Sequence, residues 1–194
     1  MRLIVITKEA PYEDEAADIE KLLRADSGVI VHLRHPKSSR NEYEKVLDRL
    51  PHDLLGRITI GDYFDLADEY QVGGVHLGSR NPQYTGNRKL RISKSCHSLE
   101  ELKDKEEYEY VFLSPIFDSI SKQGYNSAFD KQILLKAKKE KMIGQKVVAL
   151  GGICASNIKE IKSMGFGGAA LLGAAWNGDV ADNIKKLRQL MEQG

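Results

Sequence analysis

Short apolar runs recur along the chain and are separated by segments with a helical period. Most residues in these runs are β-branched or otherwise apolar, and polar residues do not alternate with them. A strand covered by helices on both faces shows this continuous pattern, whereas a strand with one solvent face alternates. The pattern predicts eight parallel strands, over residues 2–7, 29–33, 57–60, 73–77, 91–95, 110–114, 146–150 and 168–172.

Helical spacing is clearest in two of the intervening segments. One apolar stripe, at positions i, i+3, i+4 and i+7, is formed by Tyr43, Val46, Leu47 and Leu50. A second stripe runs through residues 180–191 and follows Asp179, a residue type that commonly caps a helix at its N-terminus. The chain is therefore predicted to alternate strand and helix along its length.

Eight strand–helix units favour one closed architecture over the main alternative. An open doubly wound sheet usually has fewer strands and carries a glycine-rich fingerprint after the first strand. The segment that follows the first strand here, residues 7–15 (TKEAPYEDE), contains no glycine. We therefore predict an α/β fold, a small single-domain (β/α)8 TIM barrel that spans residues 1–194.

Composition agrees with one globular domain and excludes some partners. The chain has 194 residues, of which 41% are hydrophobic, and its formal net charge is +1. Lys and Arg are spread along the chain, so no basic patch indicates nucleic acid, and no apolar run is long enough to indicate a membrane span. Two cysteines, Cys96 and Cys154, lie far apart. These features predict a reduced, cytoplasmic protein, and they leave a homo-oligomer open.

In a barrel of this type the functional residues stand at the carboxyl ends of the strands. The polar residues and glycines at those places form the candidate set, which comprises His32, Arg34, Lys37, Gly61, Asp62, Ser79, Asn81, Ser95, His97, Ser119, Ser121, Lys122, Gly151, Gly152 and Gly173. All of them are therefore expected to face one pocket at one end of the barrel.

Two glycine motifs in consecutive units indicate a phosphate site. Gly151 and Gly152 follow the seventh strand, and Gly173 follows the eighth. A glycine has no Cβ, so backbone N–H groups can approach an anion closely. Each motif alone also fits a tight turn, but two in succession favour phosphate binding by the loops after strands 7 and 8.

An ordered set of segments resembles the thiamine phosphate synthase superfamily, which includes the thiazole tautomerase branch. The segments are VHLR, GD..DLA, GVHLG, S.HS.EE, SPIF.S.SK, VVALGGI..SN and GFGGAALL, and they cover nearly the whole chain. The resemblance implies a transferase that couples hydroxymethylpyrimidine diphosphate to thiazole phosphate and releases diphosphate with the help of Mg²⁺. The implied partners are small phosphorylated substrates.

The resemblance also implies roles for individual residues. Arg34 and Lys122 match positions that contact the diphosphate, Asp62 matches a metal carboxylate, and Ser95 matches a contact to the pyrimidine diphosphate. The positions that match contacts to the thiazole phosphate are Ser119, Ser121, Gly152, Leu172 and Gly173.

The chain departs from the family pattern at several of these positions. Asn81 stands where the second metal carboxylate is expected, and Pro36 stands where a lysine follows the first arginine. Gly61 replaces an asparagine, and Gly173 replaces a serine. An amide is a weaker Mg²⁺ ligand than a carboxylate, so Asp62 and Asn81 together are expected to bind Mg²⁺ weakly.

Two further functions follow from these departures. His32 is a feature of the tautomerase branch and could transfer a proton, although Pro115 stands where that branch has a histidine. Alternatively, the chain could be a non-catalytic regulator that binds thiazole phosphate. A sugar-phosphate isomerase shares the glycine loops, but paired acid and base carboxylates are absent from the strand ends.

Overall fold

The computed structural model describes residues 1–118 and 129–192 and contains a closed barrel of eight parallel strands. Each strand pairs with the next in sequence, and β8 closes the barrel against β1. The strands are β1 Arg2–Ile6, β2 Val29–Leu33, β3 Ile58–Ile60, β4 Gly74–Leu77, β5 Arg91–Cys96, β6 Tyr110–Leu113, β7 Val147–Leu150 and β8 Gly168–Leu171. The predicted (β/α)8 barrel is confirmed, and every predicted strand agrees with the structure to within one residue at each end.

Helices pack around the barrel and cover the outward side chains of the strands. They are α1 Glu15–Ala25, α2 Arg40–Leu47, α3 His52–Leu55, α4 Leu66–Glu69, α5 Lys131–Lys139, α6 Ile158–Ser163 and α7 Val180–Glu192, and two 3-10 segments span Glu100–Glu107 and Gly173–Ala175. Alternate strand residues such as Leu3 and Val5 pack with α1 residues such as Ile19 and Leu22 in the main core. Seven of the strands are therefore buried on both faces, which accounts for their mostly apolar runs. The exception is β5, whose sequence RISKSC is mostly polar and only partly buried.

The interior of the barrel has an apolar side and a polar side. Six buried residues from β1 and β6–β8 form the apolar cluster: Ile4, Ile6, Tyr110, Phe112, Val148 and Ala170. The strands β2–β5 instead bury His32, Thr59, His76 and Ser93. Buried polar groups need hydrogen-bond partners, and beneath the pocket described below His76 bonds Ser93 while His32 bonds Tyr110.

A buried acid and a buried imidazole connect α1 with the segment that follows β2. Glu15 Oε2 lies 3.0 Å from His35 Nε2, and both side chains are fully buried. His35 Nδ1 lies 3.0 Å from the Lys8 carbonyl oxygen, and the His35 backbone N–H donates to the Tyr43 hydroxyl at 2.8 Å. These contacts fix the segments after β1 and β2 relative to α2, and Tyr43 reaches from there to the candidate site.

Within the part of the chain that the structure describes, no helix is long and apolar enough to cross a membrane. Cys96 is buried, Cys154 is half-buried, and both are free thiols.

Candidate active site at the carboxyl end of the barrel

A cavity of about 690 Å³ opens at the carboxyl ends of the strands. Cavities of several hundred Å³ hold small-molecule ligands in most binding proteins. Twelve of the sequence-predicted residues line it: His32, Arg34, Gly61, Asp62, Ser79, Asn81, Ser95, His97, Gly151, Gly152, Leu172 and Gly173. Lys37, which was expected to face the same pocket, does not line it. Ser119, Ser121 and Lys122 lie outside the described residues. The cavity therefore brings together side chains from strand ends that are far apart in sequence.

Arg34 supplies an exposed positive charge at the rim of this cavity. Its backbone N–H donates to the Thr7 hydroxyl at 2.9 Å, which attaches the end of β2 to the end of β1. Among the described residues no carboxylate forms an ion pair with its guanidinium. The Arg34 side chain is thus held at its base and is available to an anionic ligand.

Two neutral imidazoles form the floor of the cavity. His32 Nε2 lies 2.6 Å from the Tyr110 hydroxyl, and the His32 and His76 ring centroids are 5.0 Å apart. Burial lowers the pKa of His76 to about 3, with a smaller contribution from the Arg34 charge. Burial also holds the pKa of His32 well below its usual value, and His76 adds to this shift. The floor is therefore uncharged at neutral pH, as suits an uncharged heterocycle.

His76 also orients the predicted substrate contact Ser95. Its Nδ1 lies 2.8 Å from the Ser93 hydroxyl, and its Nε2 lies 2.8 Å from the Ser95 hydroxyl. A neutral imidazole donates from one nitrogen and accepts at the other. One serine hydroxyl therefore accepts a hydrogen bond from His76, and the other donates one to it. The position of the Ser95 hydroxyl is thereby set by a buried residue of the neighbouring strand.

The buried histidines predict a specific acid sensitivity. The unfolded chain protonates His76 near pH 6.5, whereas the folded chain keeps it neutral down to about pH 3. Stability is therefore fully present above pH 6.5 and falls as the pH drops toward 3. Between pH 7 and pH 5 we expect His76 alone to lower the unfolding free energy by about 2 kcal/mol.

Urea denaturation at both pH values measures this effect. In His76→Asn the loss of unfolding free energy between pH 7 and pH 5 should be smaller than in the wild type by the contribution of His76. In His52→Asn, a change at an exposed helix residue, the contribution of His76 should be retained in full. An unchanged pH dependence in His76→Asn would show that the imidazole is not held neutral by the fold.

A carboxylate with both oxygens already bonded stands at the end of β3. Asp62 Oδ1 accepts from the Asn81 amide at 2.8 Å, and Asp62 Oδ2 accepts from the Tyr43 hydroxyl at 3.1 Å. Arg80 Nη2 also donates to Asp62 Oδ2, at 3.2 Å. The Asn81 amide nitrogen reaches the Gly61 carbonyl oxygen as well, at 3.0 Å. Asp62 is thus the acceptor at the centre of a cluster of donors.

These donors decide how well the cluster fits a metal ion. Mg²⁺ requires oxygen ligands, and here Asn81 presents its N–H₂ group to Asp62 while Arg80 brings a positive charge to the same carboxylate. Across residues 1–118 and 129–192 there is no grouping of three or more His, Cys, Asp or Glu suited to a metal. The donor set at Asp62 and Asn81 therefore does not fit a resident Mg²⁺ ion.

The glycine loop after β7 approaches the segment after β6 very closely. Gly152 adopts φ +63°, and a Cβ added there would lie 2.4 Å from the Asp118 carbonyl oxygen and 2.8 Å from Phe117 Cβ. Gly151 also adopts a positive φ, of +99°. Only glycine meets both requirements at position 152 without strain.

Asn157 holds this loop in shape. It is the N-cap residue of α6, but its side chain makes no hydrogen bond to that helix and turns back to the loop. Its amide donates to the Gly152 carbonyl oxygen at 2.8 Å, and its Oδ1 accepts from the Cys154 N–H at 2.9 Å. The loop that lines the cavity is thus fixed by a side chain from the following helix.

Leu172 and Gly173 complete this side of the cavity. They follow β8 directly, and Gly173 begins a short 3-10 segment. The strands β7 and β8 are neighbours in the barrel. The two glycine motifs therefore lie side by side, as the sequence predicted.

Among the described residues, His76, Arg80 and Tyr43 belong to the site but were not among the sequence candidates. Arg80 lines the cavity between the candidates Ser79 and Asn81, and Tyr43 reaches Asp62 from α2. Arg80 could have been found, because it follows a strand in the same way as its neighbours. The helical stripe predicts Tyr43 as a core residue, and its fully buried ring agrees with that prediction. Only its hydroxyl takes part in the site.

Comparison with known proteins identifies related sequences. The family described as thiamine monophosphate synthase matches residues 3–175. The thiamine-phosphate synthase of Syntrophomonas wolfei subsp. wolfei is 29% identical over 189 residues, which cover 90% of this chain and 89% of that protein. The thiamine-phosphate synthase of Caldicellulosiruptor bescii is 30% identical over 172 residues, covering 83% and 76%.

A solved structure agrees with the barrel over its full length. The crystal structure of thiamine phosphate pyrophosphorylase from Bacteroides thetaiotaomicron superposes on this chain with a TM-score of 0.89. The two sequences are 36% identical, and the match covers 100% of both chains.

Proposed function

The chain belongs to the thiamine monophosphate synthase family, and on that premise we propose that it couples hydroxymethylpyrimidine diphosphate to thiazole phosphate and releases diphosphate. It is thus a transferase of thiamine biosynthesis whose partners are small phosphorylated substrates. One observation carries the proposal: a single cavity combines a cationic rim at β2–β4 with two glycine loops at β7 and β8. Two anionic groups can therefore bind at different sides of the same barrel mouth.

The glycine loops are proposed to hold the thiazole phosphate. Gly152 and Gly173 line the cavity, and neither presents a side chain to it. Backbone N–H groups at such positions bind phosphate oxygens without steric hindrance. Ser119 and Ser121, which belong to the same predicted subsite, lie outside the described residues and stay predictions.

The cationic rim is proposed to hold the diphosphate. In the reaction the bond from the pyrimidine methylene carbon to the diphosphate oxygen breaks, and its electron pair leaves with the diphosphate. The thiazole nitrogen donates its lone pair to form the new C–N bond. Arg34 can stabilise the charge that develops on the leaving group, because no described carboxylate competes for it. Lys122, the second predicted cation, lies outside the described residues.

The floor of the cavity is proposed to bind the pyrimidine ring. The Ser95 hydroxyl, positioned by His76, can donate to or accept from a ring nitrogen or amino group. His32 lies beside His76 and is held neutral. Neither imidazole needs to carry a proton in the substitution, so His32 contributes shape and polarity to the ring site.

Mg²⁺ takes no step in this proposal, because the donors around Asp62 do not suit a resident ion. The synthase is favoured over the tautomerase and over a non-catalytic regulator, since the matching relatives are named as thiamine-phosphate synthases. A low pKa also makes His32 a weak base for proton transfer. A cytoplasmic location and a homo-oligomer stay predictions.

Incubation of the purified protein with both substrates tests the proposal. We expect thiamine phosphate and diphosphate to form in equal amounts, measured by chromatography with and without Mg²⁺. Saturable binding of thiazole phosphate without any product under either condition would favour the regulator. Isomerisation of the thiazole without coupling would favour the tautomerase.

A further inference from the structure

Arg80 places a guanidinium between three of the loops at the barrel mouth. Its Nη1 donates to the Pro36 carbonyl oxygen at 2.8 Å, and its Nη2 donates to Asp62 Oδ2 at 3.2 Å. Arg80 itself follows β4 and lines the cavity, and 49% of its side chain is exposed. The guanidinium is therefore fixed by the protein and still accessible to a ligand.

The charge of this cluster is balanced without a metal ion. The family resemblance implies two carboxylates here, whose two negative charges a divalent cation would neutralise. In this chain Asn81 is neutral, and the single negative charge of Asp62 is paired with the positive charge of Arg80. A divalent cation placed beside Asp62 would meet an arginine and an amide N–H₂ group instead of a second carboxylate.

Arg80 also compensates for a second departure from the family pattern. Pro36 stands where the resemblance implies a lysine, and Lys37, one residue further on, does not line the cavity. The guanidinium of Arg80 contacts the carbonyl oxygen of that same proline. One arginine thus brings positive charge to the place where both a lysine and a metal ion are expected.

The guanidinium keeps donors for a ligand. An arginine has five N–H donors, and the described contacts of Arg80 use one on each terminal nitrogen. The remaining N–H groups can bind phosphate oxygens in the bidentate manner that arginine favours. Arg34 lines the same cavity and supplies a second cation.

We propose that Arg80 is a built-in cation that takes the place of Mg²⁺ in this chain and binds the substrate diphosphate directly. The inference rests on the proposed function, since it names the group that binds the diphosphate of that reaction. It follows that diphosphate binding does not require a divalent metal ion.

Isothermal titration with inorganic diphosphate in EDTA tests the inference. We expect the wild-type protein to bind under these conditions, and we expect Arg80→Met to lose at least about tenfold in affinity. Arg80→Lys should keep part of the affinity, because it keeps the charge but loses the fork of donors. The matched control is Lys89→Met, which removes an exposed cation of the same loop that does not line the cavity and should bind as the wild type does.

Two results would overturn the inference. One is wild-type protein that binds diphosphate only when Mg²⁺ is added. The other is Arg80→Met that binds in EDTA as tightly as the wild type does, with an unfolding curve that shows it is folded.

The double variant Arg80→Met with Asn81→Asp restores the charge pattern that the family resemblance implies. We expect it to bind diphosphate poorly in EDTA and at least about tenfold more tightly when Mg²⁺ is added. Equal affinity with and without Mg²⁺ would show that position 80 does not substitute for the metal.

These measurements are independent of the coupling reaction. If the proposed function is wrong, no thiamine phosphate forms with or without Mg²⁺, whatever the affinity for diphosphate. If only the inference is wrong, thiamine phosphate forms but its formation and the binding of diphosphate both depend on Mg²⁺. The two failures therefore give different results.

Discussion

Arg34→Met should lower the turnover of the coupling reaction by about 100- to 1000-fold, which is the typical effect of removing one group that stabilises developing negative charge. Arg34 lines the cavity, and no described carboxylate shares its charge. Methionine has a similar length and keeps the apolar stem, so the change removes the charge and little packing. The bond from the backbone N–H of residue 34 to Thr7 is retained.

Steady-state kinetics and urea denaturation together separate catalysis from folding. Arg34 is exposed, so we expect Arg34→Met to change the unfolding free energy by less than about 0.5 kcal/mol. Lys185→Met, an exposed change on α7 away from the cavity, is the matched control and should leave turnover unaltered. Loss of stability in parallel with loss of turnover would show that Arg34 has a structural role.

Gly152→Ala should impair both folding and the affinity for thiazole phosphate. A non-glycine residue at φ +63° costs about 1–3 kcal/mol, and the new Cβ would lie 2.4 Å from the Asp118 carbonyl oxygen. Either the loop after β7 or the segment after β6 must move to relieve this contact. We expect the affinity for thiazole phosphate to fall at least about tenfold, because the backbone N–H groups move with the loop.

A substitution at a second glycine separates the effect of backbone strain from the effect of the steric contact. Gly178 also adopts a positive φ, of +81°, but a Cβ there would meet no atom within 4 Å, and it does not line the cavity. Gly178→Ala should therefore lower the unfolding free energy only through backbone strain, and it should bind thiazole phosphate as the wild type does. Calorimetry of thiazole phosphate binding and urea denaturation measure both quantities. Full affinity in Gly152→Ala would place the phosphate elsewhere.

The eight strands could be predicted from the sequence because their signal is local. A strand buried on both faces needs a continuous apolar run, and most of the runs here have that pattern, with β5 (RISKSC) as the exception. The start of α7 could also be predicted from the local sequence. Asp179 is a residue type that commonly caps helices, and its Oδ1 accepts from the Asp182 N–H at 3.0 Å. The strand ends then placed most of the candidate site, because parallel strands in a barrel all point their carboxyl ends to one side.

Side-chain partners were less predictable than the elements that carry them. The stripe expected to continue to Leu50 belongs to a helix that ends at Leu47, although Leu50 is still buried. Asn157 is the N-cap residue of α6, but its side chain bonds the glycine loop and not the helix. Pro51 limits the first pattern, because the residue before a proline avoids the helical conformation. The bonds of Asn157 go to backbone groups five and three positions earlier in the chain.

The sequence by itself determined the barrel, the end of it that carries the site, and the residue types available there. Only the tertiary structure decided how those side chains are paired. Asp62 meets Arg80 eighteen positions away and Tyr43 nineteen positions away, and no local pattern specifies which donors a carboxylate will find. Barrel closure brings the segments after β2, β3 and β4 together, and the contact of Arg80 with Asp62 gives this carboxylate a positively charged partner from the protein itself.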